Sequence, residues 1–228
     1  MANRFFSPAS FDFLTHLDAN NNRAWFELHK QEYEDAVRTP AMDFIAAMAA
    51  DIESISPHFL AVPKKVGGSL MRVYRDVRFG KDKRPFKTNI GIQFRHVRGK
   101  DVHAPGFYVH LEPNECFLGA GIWHPDAPAL SRIREAIAEQ GTAWLKASRD
   151  KKFIKVFTPA GDSLANAPRG YAKDHPQLED LKRKDFIAIA KLSRTLATST
   201  RFQPEVVTSF RTTVPYMKFL CKALDLPF

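Results

Sequence analysis

The spacing of apolar residues changes twice along this chain, and that limits the folds open to it. Up to about residue 57 apolar side chains recur at helical spacing, as in Phe11, Leu14 and Leu17. Between 71 and 123 they fall at every second position, and from Pro128 the helical period returns with Leu130, Ile133 and Ile137. A helix buries a stripe at a period near 3.6, whereas a strand buries alternate residues. Helices, then strands, then helices predict an α+β fold rather than a strand–helix alternation. A chain of 228 residues suits one domain. That domain is expected to be helical over 1–57, sheet over 58–125, and helical with irregular stretches over 126–228.

Local signals place the elements. Ser7-Pro8 reads as an N-cap followed by proline in the first helical turn. Asn20-Asn21-Asn22 ends that helix and caps the next, which carries Trp25, Phe26, His29 and Tyr33. Thr39-Pro40 is expected to break the second helix, and Ala41 to Ile55 to form a third. Four strands follow from the alternation, over Met71–Phe79, Ile90–Phe94, Phe107–Leu111 and Glu115–Trp123. With Pro113-Asn114 as a turn between the last two, they read as an antiparallel meander with one apolar face. Asp185 to Leu192 fits a strand or a buried helix end equally well, and helices start at Pro204 and Pro215.

Composition narrows the surroundings. Hydrophobic residues make up 44% of the chain, enough for a packed core. No apolar run approaches the ~20 residues of a membrane-spanning helix, so no membrane partner is expected. The N-terminus lacks the apolar region of a signal peptide. Two cysteines, Cys116 and Cys221, form no spacing motif and sit among apolar neighbours. They read as buried thiols in a reducing, cytoplasmic compartment. There is no CxxC and no histidine pair at i and i+4 on a helix, so no metal or cofactor is expected. The weaker metal constellation, His110, His124 and Asp126, gives way to a simple strand exit at His124-Pro125. Gly119 and Gly121 are expected to let neighbouring backbone or a ring pack closely.

The formal charge of +9 is unevenly spread. Residues 1–60 carry four Arg and Lys against nine Asp and Glu, whereas 72–100 carry ten Arg and Lys against two Asp. If the run from Met71 is a strand, Arg72, Tyr74, Asp76 and Arg78 share one face with Gln93 and Arg95, and Tyr108 and His110 have the same parity. Arg75 falls on the apolar side and requires a partner or an irregular strand. Gly80 permits a bend, and Asp82-Lys83-Arg84-Pro85 reads as a loop. Guanidinium groups offer planar donor forks that match phosphate and carboxylate oxygens. The candidate anion-binding residues are therefore Arg72, Arg75, Asp76, Arg78, Asp82, Lys83, Lys87, Tyr108 and His110.

The pattern Arg72-x-x-Arg75-Asp76-x-Arg78-Phe79-x-x-Asp82-Lys83-x-x-Phe86 resembles the signature of the mostly bacterial family called domain of unknown function 2461. Three further blocks resemble it in order: Asn21-Asn22-Arg23-Ala24-Trp25-Phe26, Gly119 to Pro125, and Leu181 to Phe186. The resemblance spans essentially the whole chain. It implies that the arginine-rich run is the family's defining feature and brings no reaction with it. Phe86 and Gly80 stand where the family usually has tyrosine and serine, which counts against a catalytic hydroxyl at either position.

Two functional readings follow, with a third beside them. In the first, the arginine-rich face binds a small molecule through a phosphate or carboxylate, with or without chemistry. In the second, that face and the basic cluster Lys146, Arg149, Lys151, Lys152 and Lys155 track a nucleic-acid backbone, with Tyr74, Phe107 or Tyr108 stacking on bases. In the third, the basic run is only a lattice of ion pairs. The sequence sets no oligomeric state.

Overall fold

The computed structural model describes residues 3–78, 81–99 and 104–228. Helix α1 (Pro8–Ala19) begins where Ser7-Pro8 predicts, and Ser7 and Ser10 cap it reciprocally. Asn22 Oδ1 accepts the Trp25 N–H at 2.9 Å and opens α2 (Arg23–Leu28). Helix α3 (Lys30–Tyr33) then passes through a π-helical turn, Glu34–Arg38, straight into α4 (Thr39–Ala47). The break expected at Thr39-Pro40 is therefore absent. The Thr39 N–H bonds to the Glu34 carbonyl five residues back. That wide turn gives the Pro40 ring room where a tight α-turn would press it onto a carbonyl. Helix α5 (Ala49–Ile55) completes the first helical layer.

The sheet runs in the order β1-β2-β3-β4-β6-β5, antiparallel throughout. Its strands are β1 (Phe59–Leu60), β2 (Ile90–His96), β3 (Gly106–Leu111), β4 (Cys116–Ile122), β5 (Thr158–Ala160) and β6 (Phe186–Leu192). Pro113-Asn114 turns β3 into β4, with Glu112 and Glu115 exchanging backbone hydrogen bonds. The ambiguous run after Asp185 is a strand, because β4 supplies a full ladder for it, Cys116 to Ile122 against Leu192 to Phe186. Two of the six strands thus come from the last third of the chain.

One face of the sheet is the core. Ile90, Ile92, Phe94, Phe107, Val109, Leu111, Leu118 and Ala120 alternate onto it and are all buried. Each large side chain so buried contributes about 1.5–3 kcal/mol of transfer free energy. Helix α4 covers β2 on this side. The later helices are α6 (Ala127–Glu139), α7 (Gly141–Ser148), α8 (Lys151–Val156), α9 (Leu178–Leu181), α10 (Arg194–Ala197), α11 (Phe202–Thr212) and α12 (Val214–Ala223), of which α12 packs on β4. Both cysteines are free and buried. Burial raises the Cys116 thiol pKa and pushes Cys221 up to about 12, so neither is primed as a thiolate. Among the described residues no helix is long and apolar enough to cross a membrane.

The strand expected over Met71–Phe79 does not form. Residues 69–75 do run antiparallel to 85–93, but the register breaks between them. The Gln93 and Met71 amides donate to Ser69 and Gly91 carbonyls, whereas the Lys87 and Arg75 amides donate to Val73 and Pro85. Arg72 alone therefore stands opposite Thr88, Asn89 and Ile90, a bulge of two extra residues. Pro85 also has no N–H to give to a ladder. Phe79 and Gly80, the expected strand end and bend, lie outside the described residues, as does Lys100. We call residues 69–87 the basic arm.

Gly121 shows how tightly β4 and β6 are matched. It has φ +122°, and a Cβ there would lie 2.0 Å from the Phe186 carbonyl oxygen, the close backbone approach expected of this glycine. Gly121→Ala is expected to destabilise the protein by roughly 2–4 kcal/mol. Gly67→Ala, at φ +70° with nothing within 4 Å of the new Cβ, should cost only the backbone strain, about 1 kcal/mol. Urea denaturation of the two variants measures the difference; equal losses contradict a steric origin.

Candidate functional site

Asn21 holds the basic arm. Its Nδ2 donates to the Phe86 carbonyl at 3.1 Å, and its Oδ1 accepts the Phe86 N–H at 3.0 Å. The buried Phe86 ring stacks on Phe26, with centroids 4.2 Å apart, and Tyr74 packs against the same Phe86 ring at 5.1 Å. The block beginning at Asn21 is thus the dock for the block ending at Phe86.

Most charges of the arm are satisfied within it. Asp82 is the hub: Arg75 Nη1 reaches Oδ2 at 2.5 Å, and Arg84 donates through its backbone N–H and its guanidinium. These bonds, those from Arg84 first, hold the Asp82 carboxyl well below the usual carboxylate range. Arg84 also reaches Asp18 on α1 at 2.6 Å. Asp76 takes Arg78 in a two-bond fork at 3.0 and 2.7 Å, which lowers its pKa to about 2. Lys83 Nζ donates to the Val77 carbonyl at 3.0 Å. Such exposed pairs set shape more than stability.

Three cations differ. The side chains of Arg72, Lys81 and Lys87 make no hydrogen bond or ion pair among the described residues, and of the three Arg72 and Lys81 are exposed. Lys87 is half-buried, and burial, then Arg72 and Arg75, lowers the pKa of its ammonium. It lines an open cavity of about 490 Å³ together with Arg75, Asp76, Arg84, Thr88 and Asn89. Of the expected set, Arg75, Asp76 and Lys87 line the cavity; Arg72, Arg78 and Lys83 do not, although the Arg72 charge is close enough to act on Lys87 and Asp76. The side chain of Arg78 is 75% exposed. The partner that Arg75 required is Asp82.

Tyr108 and His110 share the non-core face of the sheet, as their parity predicts, and sit behind the cavity wall. His110 Nε2 meets Glu112 Oε2 at 3.2 Å, and Nδ1 meets Tyr108 Oη at 3.1 Å and Asn89 Nδ2 at 3.4 Å. Because a carboxylate only accepts, the proton belongs on Nε2, and Nδ1 accepts from Tyr108. Thr88 Oγ1 donates to the other oxygen of Glu112 at 3.1 Å. The Phe117 ring stacks on His110 at 4.6 Å. Burial pushes the Tyr108 hydroxyl up to about 12, so it acts as a neutral donor. Gly91 makes room for it: a Cβ there would lie 2.8 Å from Tyr108 Oη. Thr88, Asn89 and Glu112 were not legible as site residues, because the bulge that aims the first two is a property of pairing rather than of spacing.

At the opposite end of β4, a pair that the sequence reading missed joins the two remaining blocks. Asp185 is 1% exposed and accepts the His124 N–H at 2.7 Å and the Asp162 N–H at 2.9 Å, and His124 Nδ1 lies 3.0 Å from its Oδ1. The 61 residues between the partners left no local signal. His110 lies opposite Phe117, far along β4 from His124, so His110, His124 and Asp126 do not converge. Among the described residues no group of three His, Cys, Asp or Glu is placed to hold a metal ion.

An α+β chain with a docked basic arm on a six-stranded sheet is the class of protein these features define. Residues 9–219 match the family model described as Conserved hypothetical protein (DUF2461), and the chain belongs to that family. No curated protein and no solved structure matches it.

Removing the dock tests this construction. Asn21→Ala leaves the Phe86 N–H and C=O without side-chain partners and is expected to cost about 1–3 kcal/mol. Hydrogen exchange at the Phe86 amide should accelerate at the same time, while the β3–β4 ladder stays protected. Unchanged exchange at Phe86 means that the arm is held by something else.

Proposed function

We propose that this protein binds a small molecule through a phosphate or carboxylate group held between Arg72, Arg75 and Lys87. The observation that carries the reading is Lys87, a half-buried ammonium with two guanidinium groups nearby and no anion paired to it. Partly desolvated like charges are unfavourable together, and an oxyanion among them relieves both costs. Arg75 would keep its Asp82 bond for orientation and offer its remaining donors to the ligand. Thr88 and Asn89 add neutral polar groups at the wall, fixed from behind by Glu112, His110 and Tyr108. Asp76 with Arg78 forms the rim, and Lys83 braces the arm through Val77. The nucleic-acid reading is weakened because Arg75, Arg78 and Arg84 are already engaged by the arm's own aspartates. A cytoplasmic setting fits the two free thiols.

Sulfate is a suitable probe because it does not titrate in the range of interest. Isothermal titration is expected to show one site per chain. Lys87→Gln should weaken it at least about tenfold, or roughly 1.4 kcal/mol, while Arg98→Gln, an exposed change, leaves it intact. Equal affinity in Lys87→Gln and the parent protein sinks the reading. Binding of a single-stranded oligonucleotide that falls steeply with salt, with no sulfate site, supports the nucleic-acid alternative instead.

The pH dependence has a definite sign. Lys87 binds an anion only while protonated, and its pKa lies below the ordinary lysine value of 10.5. Sulfate affinity should therefore fall as pH rises, beginning earlier than an exposed lysine would allow. Lys87→Arg, whose guanidinium stays charged, should flatten that fall. A pH profile identical in both proteins contradicts the assignment.

A further inference from the structure

A second site lies at the other end of the sheet, independent of the anion cavity. We propose that His124, held by Asp185, is a general base acting on a ligand whose planar ring rests against Trp123. Three observations support this.

The first is the bonding of the imidazole. Nδ1 lies 3.0 Å from Asp185 Oδ1, so Nδ1 carries the proton and Nε2 presents its lone pair. Nε2 has no hydrogen-bond partner among the described residues, and the side chain is 58% exposed. The Asp185 carboxylate itself is buried and fully occupied by N–H donors from two segments. A buried carboxylate that orients a histidine and leaves the far nitrogen free is the arrangement on which general-base catalysis relies.

The second is the backbone. His124 sits at φ +48°, a left-handed conformation that residues with a Cβ avoid. The one other such non-glycine residue among those described is Asp225, which follows α12, where helices commonly end this way. His124 has no helix end to account for it. Glycine or asparagine fits that turn better and could still donate its backbone N–H to Asp185. Strain held at a polar, exposed side chain points to use of the side chain.

The third is Trp123. Its indole is 56% exposed and lies beside the imidazole, with centroids 4.2 Å apart and planes 30° apart. An aromatic face next to a free nitrogen suits a flat ring that carries a hydroxyl or ester within reach of Nε2. Charged groups beside the pair are Asp162 and Lys184, both exposed. In the proposed step a water O–H proton passes to Nε2. The water oxygen bonds to the ligand's ester carbonyl carbon, the ester C–O bond breaks with its electron pair leaving on the aryl oxide, and the protons on the imidazolium and on the new carboxyl group pass to solvent.

p-Nitrophenyl acetate, a flat aryl ester, is the probe. The parent protein should release p-nitrophenolate at least tenfold faster than His124→Asn, while His16→Asn, an exposed change on α1, has no effect. Trp123→Ala should raise KM and spare kcat. Thermal melting of His124→Gly and His124→Asn should give Tm values no lower than the parent, because the strain is relieved and the backbone bond kept. Ester release unchanged in His124→Asn overturns the proposal. So does a Tm lowered by several degrees in both variants, which assigns the histidine to holding the fold.

Discussion

The arrangement of this molecule's charged face depends on one amide. Asn21 satisfies both backbone groups of Phe86, and Phe26 stacks on its ring. Phe86 is the pivot of the basic arm: Asp82 and Arg84 lie just before it, and Lys87 and the bulge just after. Without that anchor Lys87 has no reason to be half-buried, and the cavity loses a wall. A neutral hydrogen-bond pair and two phenyl rings thus govern a segment whose sequence advertises charge. The magnitudes agree, since a buried backbone group left without its hydrogen bond costs about 1–3 kcal/mol, whereas an exposed ion pair contributes at most about 1 kcal/mol.

The arm also neutralises itself. Asp76 and Asp82 occupy Arg78, Arg75 and Arg84, so a stretch with a large formal charge offers few free cations. What remains is local: exposed Arg72 and Lys81, and half-buried Lys87. The proposed preference for a small anion over an extended polyanion rests on this sparseness, because a long backbone needs a row of unpaired cations and a single oxyanion needs two or three.

Local features were legible in the sequence and long-range pairings were not. Ser7, Asn22 and the alternation over 90–94, 107–111 and 115–123 act within a few residues, so the helices and meander could be read. Alternation over 71–79 was equally clear, yet a strand also needs a partner in register, and Pro85 with the Thr88–Ile90 bulge denies it one. The same gap separates site from sequence. Parity correctly placed Tyr108 and His110 on one face. It could not bring Thr88 and Asn89 to the cavity or join His124 to Asp185, because those contacts exist only once β2 and β6 have found their places. Pro40 misled for the opposite reason, since a wide turn can absorb a residue that a regular helix rejects.

That wide turn, Glu34–Arg38, makes chain length itself a structural determinant. A π-turn is in effect one residue more than an α-helix needs. Removing one residue there would restore a regular helix with the flanking turns facing as they do, but would press the Pro40 ring onto the carbonyl four residues before it. Along this stretch the number of residues is tied to one identity: a descendant that keeps Pro40 keeps the extra residue, and one that loses the proline is free to lose both.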